Sequence, residues 1–220
     1  MAILINYDKE FKNTFEVIYD ASVVATDYEV IESGDAKYVI HFRDSDFSVS
    51  SIIITDPTIK LASKTWGILP AKLGTLVENF IVSQSSRHYR FKDYANIEIG
   101  KIIERENHPK SEKLFVLRVD FGYSTKTIIT NTLYTTVGKY LAWYANGIIT
   151  PDGTVIKTGE VMNVASEAML CSATSLNLPK YEDEFKNDVL SSVDLSKKDK
   201  YLGSTIELFY PELIFEYSEA

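Results

Sequence analysis

Between residues 97 and 179 turn residues cut the chain into short apolar runs, and this spacing restricts the fold more than any other feature. Residues 97–104, 116–120, 126–130 and 139–145 read as strands, and Val155-Ile156 resumes the pattern after Pro151-Asp152-Gly153. Gly122-Tyr123-Ser124 supplies a hairpin signal between the second and third runs, and Pro-Asp-Gly is a strong turn. About five short strands match a small five-stranded Greek-key barrel. Pattern alone admits several other small β folds.

Three strings flank these strands. His108-Pro109-Lys110-Ser111-Glu112-Lys113-Leu114 joins the first run to the second, Val119-Asp120-Phe121-Gly122 closes the second, and Ser166-Glu167-Ala168-Met169-Leu170-Cys171-Ser172 ends the region. Pro109 stiffens its turn. Lys113 can carry a cation along the strand toward a phosphate. Together the strings resemble the tRNA-binding domain family, the small barrel appended to some aminoacyl-tRNA synthetases and synthetase cofactors and also found in free-standing two-domain bacterial proteins. The resemblance spans 97–179. It implies an oligonucleotide-binding-type barrel and non-catalytic binding of tRNA or another structured RNA by shape and phosphate contacts.

By the same resemblance Ser166 and Met169 lie on the RNA-facing side, Ser166 as a hydrogen-bond donor and Met169 as a polarizable surface for a base. Two positions depart from the family pattern. Ala168 stands where glycine is usual, and Thr130-Asn131 stands where a small residue and glycine are usual. Asn131, in a loop on the ligand side, tolerates left-handed backbone better than most residues. Lys101 and Arg105 share a strand face by period two, and with Arg118 and Lys126 they are candidate phosphate contacts. Tyr123, Tyr140, Trp143 and Tyr144 are candidate stacking platforms. Trp143 and Tyr144 alternate on one strand, so at most one of them faces the groove and the other belongs to the core.

The N-terminal part reads as a small α+β module over residues 1–94. Strand-like runs at 15–19, 22–31, 38–42 and 51–55 are separated by Ser33-Gly34-Asp35 and Asp44-Ser45-Asp46. Leu69, Leu73, Leu76, Val77, Phe80 and Ile81 recur at helical spacing, which predicts a helix over 70–84 opened by Pro70. Polar residues 83–88 read as the linker. The second domain is expected over 95–220, with an acidic stretch at 181–188 and a strand-like apolar tail at 204–217. That tail packs on the barrel or builds a homodimer. The fold class is mostly β.

Charge complicates an RNA-binding reading. The net charge is −8, yet residues 95–180 hold nine basic and eight acidic side chains while 181–220 hold four and ten. RNA affinity is therefore expected to depend steeply on salt. An alternative is a protein-interaction module for a synthetase or another translation partner. The single cysteine, Cys171, suits a reducing compartment. No apolar run approaches a membrane span, and the N-terminus lacks the pattern of a signal peptide, so a cytoplasmic protein with no membrane role is expected. The three histidines are scattered, and neither a catalytic constellation nor a metal or cofactor motif is present.

Overall fold

Apolar residues at every second position build the first sheet of the computed structural model, which describes residues 2–92 and 97–219. Its strands are β1 (Ile3–Asn6), β2 (Thr14–Ile18), β3 (Asp27–Ser33), β4 (Ala36–Arg43), β5 (Ser48–Thr55) and β7 (Trp66–Ile68), with the short β6 (Ile59–Leu61) lying outside it. The order is β3-β4-β5-β2-β1-β7, antiparallel throughout. Tyr38, Ile40, Phe42, Ile52 and Ile54 point to one side and share a core with Leu73, Val77 and Ile81 of helix α1 (Ala71–Gln84). Gly74 within the helix leaves room for Leu69, whose Cδ2 would lie 3.0 Å from an added Cβ.

The chain divides into two units: Met1–Tyr94 with Gly147–Val155 and Pro211–Ala220, and Ala95–Asn146 with Ile156–Tyr210. Residues 211–220, read from the sequence as part of the second domain, therefore group with the first. Phe215 enters the first core, its N–H donates to the Ile68 carbonyl at 2.8 Å, and Tyr217–Glu219 pairs with β6. Lys64 holds the return: its ammonium donates to the carbonyls of Glu212 (3.0 Å) and Ile214 (2.9 Å) and lies over the Phe215 ring.

Several local expectations are corrected. The strand expected over 22–31 begins only at Asp27. The residues read as a linker pack on the first unit instead. Ser85 and Arg87 both bind Glu29, and Tyr89 is in the core. Their polar side chains looked like solvated linker because their partner is a strand carboxylate far away in sequence. The tail expected as a strand over 204–217 forms short 3-10 turns at Ile206–Leu208 and Pro211–Leu213, with extended pairing only at Tyr217–Glu219. Pro211 cannot donate to a ladder.

The second unit contains β8 (Ile97–His108), β9 (Ser111–Asp120), β10 (Thr125–Thr130), β11 (Tyr140–Tyr144), the hairpin β12 (Gly159–Val161) and β13 (Val164–Ser166), and β14 (Met169–Leu170). Five of these form an antiparallel sheet in the order β10-β9-β8-β11-β14. Its inward face buries Ile102, Leu117, Val119, Phe121, Ile128, Leu141 and Trp143. Gly100 is required there, because a Cβ would come within 2.6 Å of Val119 Cγ1. The fifth strand is Met169–Leu170. Val155, expected to start it, makes only a bridge to Ile149 within the first unit.

The chain before β14 also reaches β10 at the other end of the sheet. The Glu167 N–H donates to the Thr127 carbonyl at 2.9 Å, the Thr127 N–H donates to the Glu167 carboxylate at 2.7 Å, and the Ile129 N–H donates to Ser166 Oγ at 3.1 Å. The acidic stretch folds into helix α2 (Glu182–Asn187), anchored by buried Phe185. Among the described residues no helix is long and apolar enough to cross a membrane, and no group of three His, Cys, Asp or Glu side chains could hold a metal ion.

Candidate nucleic-acid interface

The turn between β8 and β9 is organised by one buried side chain. His108 accepts the Lys110 N–H on Nδ1 at 3.1 Å. A backbone N–H can only donate, so the ring proton sits on Nε2. From there it is donated to the Val161 carbonyl at 3.1 Å, which ties the β12–β13 hairpin to the turn. Asn107, His108, Pro109, Lys110, Ser111 and Glu112 line an open depression of about 460 Å³ at this place. The His108-Pro109 string thus acts as a clasp between two hairpins.

Cations in this unit fall into two groups. Lys110, Lys113 and Lys157 are exposed and, among the described residues, make no ion pair. Lys101, Arg118 and Lys126 are already engaged. Lys101 lies 3.0 Å from Asp199 and over the Tyr140 ring. The Tyr140 hydroxyl and Lys101 together hold the Asp199 carboxyl below the usual range. Arg118 meets Glu104 at 3.4 Å, both exposed, an ion pair worth little in water. Lys126 meets buried Glu98 at 2.7 Å and lies 4.4 Å from the Phe121 ring centroid. Burial works against the Lys126 charge, but its hydrogen bonds to Glu98 and Tyr123 outweigh it and raise its pKa. Arg105 is stacked on Phe115, its guanidinium carbon 3.5 Å from the ring centroid, with Nε buried and without a partner.

The remaining candidates separate as well. Ser166 Oγ is occupied within the fold, accepting from Ile129 and donating to the Ala168 carbonyl at 3.4 Å. Met169 is exposed on the outer side of β14, opposite the core-facing Leu170. Asn131 is exposed and is not among the described residues with positive φ, so the glycine missing there is not needed for backbone freedom. Of the aromatics, Tyr140, Trp143 and Tyr144 are all buried, Trp143 donating to the Gly100 carbonyl and Tyr144 meeting Ser175. At most one of Trp143 and Tyr144 is expected from the sequence to face a groove, and neither does, because the segment around 171–176 covers the outer side of β11. Tyr123 stays exposed, but its hydroxyl donates to Glu98.

Sequence reasoning passed over Lys157 and the hairpin tip Met162-Asn163. Both tip residues have positive φ, 50° and 69°, as a two-residue type I′ turn requires. An Asn-Gly pair would have announced this turn, whereas methionine in its first place gave no signal.

Residues 97–197 match the family described as putative tRNA binding domain. Relatives include the phenylalanine--tRNA ligase beta subunit of Sulfurimonas denitrificans, 34% identical over 82 residues, which are 37% of this chain and 10% of that protein. The corresponding subunit of Thermotoga maritima is 37% identical over 93 residues, 42% of this chain and 12% of that one. The putative tRNA-binding protein YtpR of Bacillus subtilis is 35% identical over 81 residues, 37% of this chain and 40% of that one. The match thus spans well under half the length of each relative.

Proposed function

Because residues 97–197 belong to the putative tRNA-binding domain family, we propose that this chain binds tRNA in the cytoplasm without catalysing a reaction, through the surface around the β8–β9 turn. The observation that carries the placement is the distribution of free charge. Lys110 and Lys113 flank the clasp built by His108 and have no carboxylate partner, while Lys101, Arg118 and Lys126 do. An unpaired exposed ammonium is available to a phosphate without first breaking an ion pair. On this reading Lys113 and Met169 keep the roles the resemblance implies. Ser166 shapes the site, and Lys126 works mainly inside the fold.

The second unit is an oligonucleotide-binding-type barrel on the same reading. Support comes from the five-strand order and from the 166–167 segment, which bonds across to β10 and so links the two ends of the sheet. A barrel of this kind exposes its strand faces and loops to nucleic acid. The competing reading, a docking module for a translation protein, is favoured by the net charge of −8.

Binding of bulk tRNA across a salt series tests the two. RNA binding gives an affinity that falls steeply with salt, and Lys110→Ala with Lys113→Ala flattens that slope by about 0.7 to 0.9 for each phosphate the variant leaves unneutralised. No binding at low salt, or a slope unchanged in the double variant, would overturn the proposal.

A further inference from the structure

The two edges of the first sheet are finished differently. At β7 the returning tail closes the edge: Ile214 bridges Ile68, and the Phe215 N–H donates to the Ile68 carbonyl at 2.8 Å. β3 is the last strand at the other end and, among the described residues, pairs only with β4. Ser33 and Ala36 close its two-residue turn, Gly34-Asp35, and so exchange backbone bonds. By alternation Ile31, Glu29 and Asp27 also bond toward β4, while the amide and carbonyl groups of Tyr28, Val30 and Glu32 point away from it. Among the described residues, the one group that meets any of them is the exposed Asp27 carboxylate, which accepts the Tyr28 N–H at 2.8 Å.

An open edge is a template for another strand, and proteins commonly blunt it with proline, lysine or a bulge. β3 holds neither proline nor lysine, and its ladder with β4 runs from Asp27 to Ser33 without a register shift. Tyr28 and Val30, 62% and 41% exposed, stand on one face and leave apolar surface for a partner to cover. Two of the three carboxylates on β3 are already answered within the chain, Glu29 by Arg87 at 3.1 Å and Glu32 by Lys37 at 3.5 Å. A basic strand therefore finds little charge left to attract it. A second, antiparallel β3 fits better. Centred on Val30, it pairs all seven residues of the strand. Asp27 then faces Ser33 and Glu32 faces Tyr28, so no carboxylate lies directly opposite another, the contact that would oppose pairing. In the same register the outward groups of Tyr28, Val30 and Glu32 meet each other, and both copies of Tyr28 and Val30 gather on one face.

We propose that β3 is a dimerisation edge, where two copies of this chain join antiparallel about Val30 and continue one sheet through both. The contact is isologous, the same strand serving on each side, and it is independent of RNA binding. It would give each assembly two copies of the second unit.

The test is sedimentation of the full chain across a concentration series, without RNA. The wild type should pass from monomer to dimer. Val30→Pro removes an N–H that β4 does not use, and proline is tolerated where an edge N–H faces solvent. It should therefore melt close to dilute wild type while weakening the dimer about tenfold or more. Val30→Cys gives a second reading. Opposed residues that exchange bonds have Cα atoms about 5.5 Å apart, within disulfide range, so mild oxidation should join two copies there. Glu32→Cys, whose two copies would stand roughly 13 Å apart in this register, should not be joined. Cys171 is buried and does not compete. A wild type that stays monomeric overturns the proposal, and an edge kept for a strand of another protein would give this result. A dimer that a folded Val30→Pro leaves intact overturns it too, as does a Glu32→Cys chain joined as readily as Val30→Cys.

Discussion

The Lys126 ammonium lies 2.7 Å from the Glu98 carboxylate, and the same carboxylate accepts the Tyr123 hydroxyl at 2.9 Å. Glu98 is only 4% exposed, so the ion pair sits where an unpaired charge is expensive. Glu98→Ala is expected to cost about 3 kcal/mol in denaturant unfolding because it strands a half-buried ammonium. Combining Glu98→Leu with Lys126→Met should recover most of that. If the double variant is as unstable as the single one, the pair contributes through more than its charge.

Gly67 lies under the returning tail. An added Cβ would meet Lys64 Cε and Phe215 Cδ2 at 2.9 Å and the Leu213 carbonyl oxygen at 3.0 Å. Gly67→Ala should destabilise the protein by about 1–3 kcal/mol, the range for overpacking. Proteolysis at 211–219 should then become faster, because the tail is what can move. A variant of unchanged stability whose tail resists protease would refute this close packing.

Glu207 carries a pH dependence. Burial raises its pKa from 4.5 to about 7, and both carboxylate oxygens are buried without a hydrogen-bond partner. The folded chain therefore keeps its proton to higher pH than the unfolded chain does. Stability from this group is full below pH 4.5, falls as pH rises toward 7, and is lost above that, by about 3 kcal/mol in all. Glu207→Gln should melt higher than wild type at pH 8 and close to it at about pH 4.5. Equal melting-temperature differences at the two pH values would remove Glu207 as the cause.

Burial pushes the Cys171 thiol up to about 12, so the thiolate is scarce in the folded protein. A thiol-specific disulfide reagent at pH 8 should label it only at the rate of unfolding. Rapid labelling of the folded protein would show that the segment around 171–176 that covers β11 opens readily.

The strongest local patterns were legible. Helix 70–84 follows from Leu73, Val77 and Ile81 at helical spacing, and it forms with Ala71 as its first residue. Strands β8 to β11 follow from runs between good turn residues. What sequence missed depends on distant partners. Whether Lys101 is free is decided by Asp199, nearly a hundred positions later, and Lys126 is likewise committed to Glu98 on another strand. Tyr144 looks like a stacking platform until Ser175 covers it. The positive-φ turn at Met162 was invisible because its residue contradicts the local rule.

Phe215 and the strand Tyr217–Glu219 reach the first unit only after the whole second unit has been threaded between them and β7. During synthesis the sheet that began the chain therefore lacks Phe215 in its core until after Tyr210, the last residue of the second unit, has been added. The two units receive their closing residues almost together, and the first stays open for the length of its neighbour's translation.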